Sequence, residues 1–347
     1  MRAVVFENKE RIAVKEVNAP RLQHPLDTLV RVHLAGICGS DLHLYHGKIP
    51  VLPGSVLGHE FVGQVEAVGE GIQDLQPGDW VVGPFHIACG TCPYCRRHQY
   101  NLCERGGVYG YGPMFGNLQG AQAEILRVPF SNVNLRKLPP NLSPERAIFA
   151  GDILSTAYGG LIQGQLRPGD SVAVIGAGPV GLMAIEVAQV LGASKILAID
   201  RIPERLERAA SLGAIPINAE QENPVRRVRS ETNDEGPDLV LEAVGGAATL
   251  SLALEMVRPG GRVSAVGVDN APSFPFPLAS GLVKDLTFRI GLANVHLYID
   301  AVLALLASGR LQPERIVSHY LPLEEAPRGY ELFDRKEALK VLLVVRG

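Results

Sequence analysis

The chain has 347 residues, too many for one ordinary compact domain and comfortable for two; with 46% apolar and 20% charged residues its composition is that of a folded protein. A net charge of -3 and a pI near 6.3 give no basic field for nucleic acid or an anionic membrane, so small solutes are the expected partners. No run reaches the roughly 18 uninterrupted apolar residues of a spanning helix, and the N-terminus has no signal-type apolar core, so a cytoplasmic protein without membrane or nucleic-acid partners is expected.

Residues 1–17 alternate apolar and charged side chains (Val4, Phe6, Ile12 and Val14 among Arg2, Glu7, Lys9 and Lys15), which predicts strands. Short Val-rich runs punctuated by Gly and Pro follow at 27–34, 60–68, 79–82 and 123–128, predicting a β-rich first half, a distorted barrel. From Arg167 the rhythm changes to strand, glycine turn, apolar helix, strand, as a doubly wound parallel sheet requires. Strands are predicted at 171–175, 195–199, 239–243, 262–266 and 286–290, with helices between them. The helix at 179–191 carries Val180, Ala184, Val187 and Leu191 on one face and stops at Gly192. A second amphipathic run, 297–307, ends at Ser308 and Gly309, and a tail punctuated by Pro313, Pro322 and Pro327 is expected to rejoin the first domain. The expected architecture is α/β plus β: residues 1–150 with 291–347 as one domain, 151–290 as the other, packed together with the reaction between them.

Four of the five cysteines, Cys89, Cys92, Cys95 and Cys103, have the spacing C-x2-C-x2-C-x7-C on a Gly/Pro-containing loop, the lobe at about 86–105. Four thiolates so close in sequence can converge on one tetrahedral zinc, and a closed sulfur set leaves no open position, so this site is read as structural. Two disulfides, an iron-sulfur cluster or a nucleic-acid zinc ribbon use the same residues, but the reducing compartment and the few neighbouring basic residues (Arg96, Arg97, His98) speak against them. The fifth cysteine lies in Gly36-Ile37-Cys38-Gly39-Ser40-Asp41-Leu42-His43; Gly58-His59-Glu60 follows, and Asp152 sits in Gly151-Asp152-Ile153-Leu154-Ser155-Thr156 at the domain border. Singly these are weak signals, since a lone Cys or His is usually a core or solvated residue; together they can supply three zinc ligands and leave a fourth position open.

Gly176-Ala177-Gly178-Pro179-Val180-Gly181 is a G-x-G-x-x-G that follows a predicted strand and opens a helix. Gly178 would let the backbone approach a pyrophosphate, Gly181 would let helix and strand pack closely, and the helix N-terminus favours the phosphate charge. Asp200, at the end of the next strand, would accept the ribose hydroxyls of NAD and repel the extra phosphate of NADP, although Arg201 beside it softens that preference. Asp200 could instead cap the helix that begins near Pro203.

In the order and approximate spacing of these motifs the whole chain resembles the zinc-containing medium-chain dehydrogenase/reductase family, and the text around Asp152 is similar to its formaldehyde-dehydrogenase-like branch. The resemblance implies a GroES-like catalytic domain beside a Rossmann domain, two zinc ions per subunit, NAD, and a homo-oligomer, dimer or tetramer. It places Cys38, His59 and Asp152 as catalytic zinc ligands, with Glu60 as the rival third ligand that polyol dehydrogenases use. Ser40 and His43 match a proton relay and Asp41 a carboxylate behind the ligand His; the plainer alternative is that Ser40 and Asp41 cap a helix while His43 and His46 are solvated. Arg205 resembles a residue near the adenine ribose, and Lys340 one that reaches the pyrophosphate. The expected reaction is reversible oxidation of a small alcohol to an aldehyde or ketone. Rival readings are a polyol or L-threonine dehydrogenase of the same family and a non-catalytic NAD- or zinc-responsive binding protein.

Overall fold

The computed structural model describes residues 1–268, 271 and 273–345. The chain divides into two compact units, Met1–Ser155 with Asn294–Gly347, and Thr156–Ala293. Asp152 therefore falls in the first unit, at the head of the helix Ile153–Gln163 rather than inside the second domain where the expected boundary put it.

In the first unit the N-terminal alternation forms an antiparallel hairpin, Arg2–Asn8 with Arg11–Glu16. The main sheet has seven strands, running His319–Pro322, Val341–Val344, Thr28–Ile37, Glu60–Val68, Trp80–Val82 and Arg136–Lys137, with Ile125–Val128 also paired to Thr28–Ile37. The C-terminal tail rejoins this unit through Val341–Val344, antiparallel to Thr28–Ile37. Apolar alternation explains the first part of the central strand Thr28–Ile37, where Val30, Val32 and Leu34 are buried, and from Leu34 to Ile37 it is buried on both faces. A small hairpin, His86–Ile87 with Gly107–Val108, bounds the cysteine lobe.

The second unit is a six-stranded sheet in which every pairing is parallel: Ile215–Asn218, Lys195–Asp200, Ser171–Ile175, Leu239–Glu242, Arg262–Ala265 and Thr287–Ile290. The order reverses at Ser171–Ile175, the first strand in sequence, so the crevice at its carboxyl end is the topological switch point where such sheets bind ligands. Its core packs Ala173, Ile175, Leu197, Ile199, Val240 and Val263 against the helices. The predicted strands agree with the observed ones to within a residue or two at most ends. The strand Ile215–Asn218 was not predicted; it is short, contains Pro216, and lies at the sheet edge, where a missing N–H is tolerated. No helix among the described residues is long and apolar enough to cross a membrane.

Candidate functional site

Strand register assembles the first site. Gly36 pairs with Glu60 and Ile37 with Val341, so three strand ends lie side by side and bring Cys38, His59, Glu60 and Lys340 together. Gly36 is required here: a Cβ on it would lie 1.9 Å from Glu60 Oε2. Asp152 follows the 3-10 turn Ile148–Gly151, in which Gly151 presses on the backbone of Gly83, where a Cβ would meet the carbonyl oxygen at 2.4 Å, and accepts from Phe85 N at 2.9 Å.

Cys38 Sγ lies 3.5 Å from Asp152 Oδ2, and His59 Nε2 lies 3.2 Å from the same oxygen. A tetrahedral zinc with bonds of about 2.0–2.3 Å holds its donors roughly 3.3–3.8 Å apart, so both of these separations suit one ion. Glu60 completes a set of four whose ligand atoms are all within 4.8 Å of one another. Behind His59, its Nδ1 is 3.1 Å from Asp41 Oδ1 though off the hydrogen-bond direction, while Asp41 Oδ2 accepts from Cys38 N at 3.0 Å. Ser40 starts the helix Asp41–Tyr45 but makes no side-chain cap; its Oγ instead lies 3.3 Å from Cys38 Sγ and 3.4 Å from His59 Nε2. The capping alternative therefore fails for Ser40. His43 sits half-buried in the last turn of the same helix.

The electrostatics call for a cation. Burial works against protonation of His59, yet Asp41 and Asp152 outweigh it and raise its pKa well above the ordinary value. Burial likewise opposes the Asp152 carboxylate, but the bond and charge of His59 hold its pKa down. Burial and the charge of Asp152 push the Cys38 thiol up. A dication on one thiolate and one carboxylate meets this demand and is neutralised by it.

Lys340 is corrected by the structure. It is fully buried, and its Nζ donates to Glu60 Oε1 at 2.7 Å and to Ile37 O at 3.1 Å, so it does not extend toward a pyrophosphate. The register that pairs Val341 with Ile37 turns it toward the metal cluster, where it neutralises Glu60. Burial raises the Glu60 pKa while Lys340 works to lower it, and Lys340, opposed by the same burial, is raised by Glu60.

The four lobe cysteines are all unbridged, with Cys89 and Cys95 sulfurs 4.0 Å apart and those of Cys92 and Cys103 3.9 Å apart. That is close to the ~3.8 Å expected around zinc with Zn–S bonds of about 2.3 Å. Backbone N–H groups of Cys92 and Cys95 point at the sulfurs of Cys89 and Cys92 at 3.4 and 3.5 Å, and that of Cys89 at Cys103 Sγ at 3.2 Å. Burial opposes ionisation of Cys89, but bonds from Thr91 and Cys92 bring its pKa down to about 5, whereas burial pushes Cys95 up to about 12, so without a cation the lobe holds a mixture of thiolate and thiol.

In the second unit Gly176 has φ +93° and a Cβ on Gly181 would lie 1.7 Å from Gly176 O, so both glycines are dictated by backbone. Around Gly178 the nearest group is Arg205 Nη1, 3.7 Å from a Cβ position, leaving the N-terminus of the helix Pro179–Val190 open to a ligand. Pro179 and Val180 form its first turn, half-buried. Asp200 Oδ2 accepts from Ala177 N at 2.7 Å, and Oδ1 accepts from Arg201 N at 2.7 Å and Ile202 N at 3.0 Å. Asp200 thus braces the glycine turn and the turn before the helix Pro203–Ser211, but that helix has no side-chain cap, so the capping alternative is not met. Arg205 Nη1 is 3.9 Å from Asp200 Oδ2, and Arg201 is exposed.

Residues 24–140 match the family model described as alcohol dehydrogenase GroES-like domain, and residues 179–308 that described as zinc-binding dehydrogenase. The chain belongs to the zinc-binding alcohol dehydrogenase family. It is 99% identical to alcohol dehydrogenase TADH from Thermus sp. ATN1 over the full length of both chains, with a TM-score of 0.98. It is 36% identical to zinc-type alcohol dehydrogenase B of Aspergillus flavus over 99% of this chain and 81% of that one. To L-threonine 3-dehydrogenase of Bacillus licheniformis it is 32% identical over 92% of this chain and 91% of the other. This dehydrogenase is accordingly an oxidoreductase with a GroES-like domain and a parallel-sheet Rossmann domain.

Sequence reasoning missed several neighbours of the dehydrogenase site. Phe85 and Tyr111 stand edge-on to the His59 ring at 6.0 and 5.5 Å. Tyr330 donates to Gln122 Oε1 at 2.9 Å, and Gln122 Nε2 to Gly36 O at 2.9 Å. No motif carries these residues; only long-range packing brings them in. His86 is buried, its ring 4.7 Å from those of Phe85 and His296.

Proposed function

We propose that this dehydrogenase oxidises small alcohols reversibly to aldehydes or ketones with NAD, using a catalytic zinc on Cys38, His59 and Asp152 and a structural zinc on Cys89, Cys92, Cys95 and Cys103. The observation that carries the reading is the convergence of Cys38 Sγ and His59 Nε2, from two strand ends, on Asp152 Oδ2, from the turn before the helix Ile153–Gln163, at separations a tetrahedral zinc would give. Held by Cys38, His59 and Asp152, a zinc ion would supply Lewis-acid polarisation of the alcohol oxygen and so make its proton easier to remove. Ser40 Oγ, beside both Cys38 and His59, accepts that proton, and His43, an imidazole two helical positions past Asp41, carries it outward. Asp41 holds His59 in one orientation, and Phe85 and Tyr111 limit water around it. Lys340 neutralises Glu60, which leaves Asp152 as the third ligand.

Asp200 supports NAD over NADP, because a carboxylate already braced by Ala177 N stays at the ribose position and repels a second phosphate. The edge strand Thr287–Ile290 supports a homo-oligomer, dimer or tetramer: beside it Leu282 and Val283 are 83% and 85% exposed and Ile290 63%, an apolar edge that a second copy would cover. The unbridged cysteines suit the cytoplasm.

Scanning alcohols, polyols and L-threonine for NADH formation, with elemental analysis of the same sample, tests the reading. Two zinc ions per chain and chelator-sensitive turnover of simple alcohols are expected; a single ion confined to the cysteine lobe would end it. A polyol or L-threonine dehydrogenase is the second reading, favoured by Glu60 lying within the ligand cluster; preference for a vicinal hydroxyl or amino group would select it. Absence of turnover on every substrate would favour a binding protein.

A further inference from the structure

Outside the metal cluster, one histidine is held in a way a solvated side chain is not. His46 Nε2 lies 2.7 Å from Asp334 Oδ1, and its Nδ1 lies 3.1 Å from Glu10 Oε1. Carboxylates only accept, and a neutral imidazole has a single N–H, so only the imidazolium satisfies both contacts at once. Three elements meet there. His46 ends the helix Asp41–Tyr45, Glu10 belongs to the turn between Arg2–Asn8 and Arg11–Glu16, and Asp334 ends the helix Ala326–Asp334.

The helix Asp41–Tyr45 has five residues, too few to hold its shape unaided, so its ends must be fixed by tertiary contacts. At its first residue Asp41 contacts His59 and Cys38 N; at its end stands His46. The helix Ala326–Asp334 touches the same structure twice, through Asp334 and through Tyr330, whose ring is 5.7 Å from that of Tyr45. We propose that His46 is a positioning residue for the catalytic metal centre: as an imidazolium it bolts the helix Asp41–Tyr45 to the N-terminal hairpin and to the helix Ala326–Asp334, and thereby keeps Asp41 in place behind His59. The inference rests on the assignment of His59 as a metal ligand made above.

The bolt is sensitive to pH. The charged groups around it are Glu10, with Lys9 Nζ 4.0 Å from that carboxylate, on the hairpin, and Asp334 on the C-terminal helix, while Glu331 and Arg335 of and just beyond that helix act on the adjoining Tyr45; Lys48 lies two residues on in its own segment. Burial opposes protonation of His46, but the bonds to Asp334 and Glu10 prevail and its pKa is raised above 6.5. A raised pKa means the bolt is whole below pH 6.5 and is lost as pH rises through the folded-state value.

The test follows the rate at which a chelator removes the catalytic ion from zinc-loaded protein at pH 6 and pH 9, in wild type, His46→Gln, His46→Arg and Asp334→Asn. Arginine keeps a cation between the carboxylates at both pH values, so the ratio of wild-type to His46→Arg rates removes the pH effects common to both. That ratio is expected to rise about 3- to 10-fold between pH 6 and pH 9, at or below the low end of what losing a ligand-orienting partner costs. His46→Gln should lose the ion at pH 6 as fast as wild type does at pH 9, relative to His46→Arg. A flat ratio, or His46→Gln indistinguishable from wild type at pH 6, overturns the proposal. Should His46→Gln fail to fold, Asp334→Asn decides: the NMR titration of His46 and the ion-release midpoint must shift to lower pH together, and movement of the first without the second also overturns it. Wild type holding only the lobe ion at the outset refutes the ligand assignment instead, so the two failures are distinguishable.

Discussion

Replacing Lys340 by Met should destabilise the protein far more than a lysine substitution normally does. The side chains of Lys340 and Glu60 are 1% and 2% exposed, so solvent screens neither, and Nζ donates to Glu60 Oε1 at 2.7 Å and to Ile37 O at 3.1 Å. Methionine fills the space but leaves the Glu60 carboxylate buried beside Asp152 without its cation. Breaking a buried pair from one side costs about 3–5 kcal/mol, because the remaining charge is uncompensated. Adding Glu60→Gln removes that charge and should return all but about 1–3 kcal/mol, the penalty of a buried amide short of partners. Urea unfolding of the wild type, both single variants and the double variant, at fixed excess zinc and pH 7.5, gives the coupling energy directly. A Lys340→Met penalty under about 1 kcal/mol, the range of a surface pair, would refute the claim that this ion pair is buried and obligatory. So would a double variant no more stable than Lys340→Met.

Asp152→Asn and Cys38→Ser should each lower zinc content from two ions to one per chain by elemental analysis, with alcohol oxidation falling at least about 100-fold and the cysteine lobe still loaded. Gly181→Ala places a Cβ 1.7 Å from Gly176 O, so equilibrium dialysis should show dinucleotide binding lost and unfolding should show about 1–3 kcal/mol of destabilisation, the usual range for an overpacked contact. Asp200→Ala should weaken NAD and improve NADP, moving the ratio of their kcat/KM values by about 10-fold or more toward NADP; an unchanged ratio would remove Asp200 from cofactor selection. His296 is buried, and that burial, with His86 and Arg136 nearby, depresses its pKa well below 6.5. Its neutral form therefore contributes stability above pH 6.5 that is lost as pH falls toward the folded-state value, by up to about 1.4 kcal/mol per pH unit, and the wild-type minus His296→Gln difference in unfolding free energy should carry that slope.

Much of this molecule is written locally. The βαβ rhythm after Arg167, the glycines of 176–181 and the spacing of the four lobe cysteines are short-range patterns, each set by backbone sterics or by the reach of a loop around one ion. Cys38 and the pair His59-Glu60 were visible as motifs for the same reason. The strand Ile215–Asn218 escaped notice because an edge position, not its own composition, permits Pro216. Phe85, Tyr111, Gln122 and Tyr330 carry no local signature at all.

Lys340 shows where sequence stops. A basic residue near the C-terminus reads equally well as a surface cation or as a phosphate ligand. Its fate is decided by one register, Val341 opposite Ile37, which puts it beside Glu60 in a space that Gly36 leaves open. His46 is a second case, for its two carboxylates lie far away along the chain, at Glu10 and Asp334. The sequence by itself determined which chemical groups are present and which backbone turns can carry them. Only the tertiary structure decided which charges share one desolvated space, since pairing across a sheet depends on register, and register depends on the burial of whole strands.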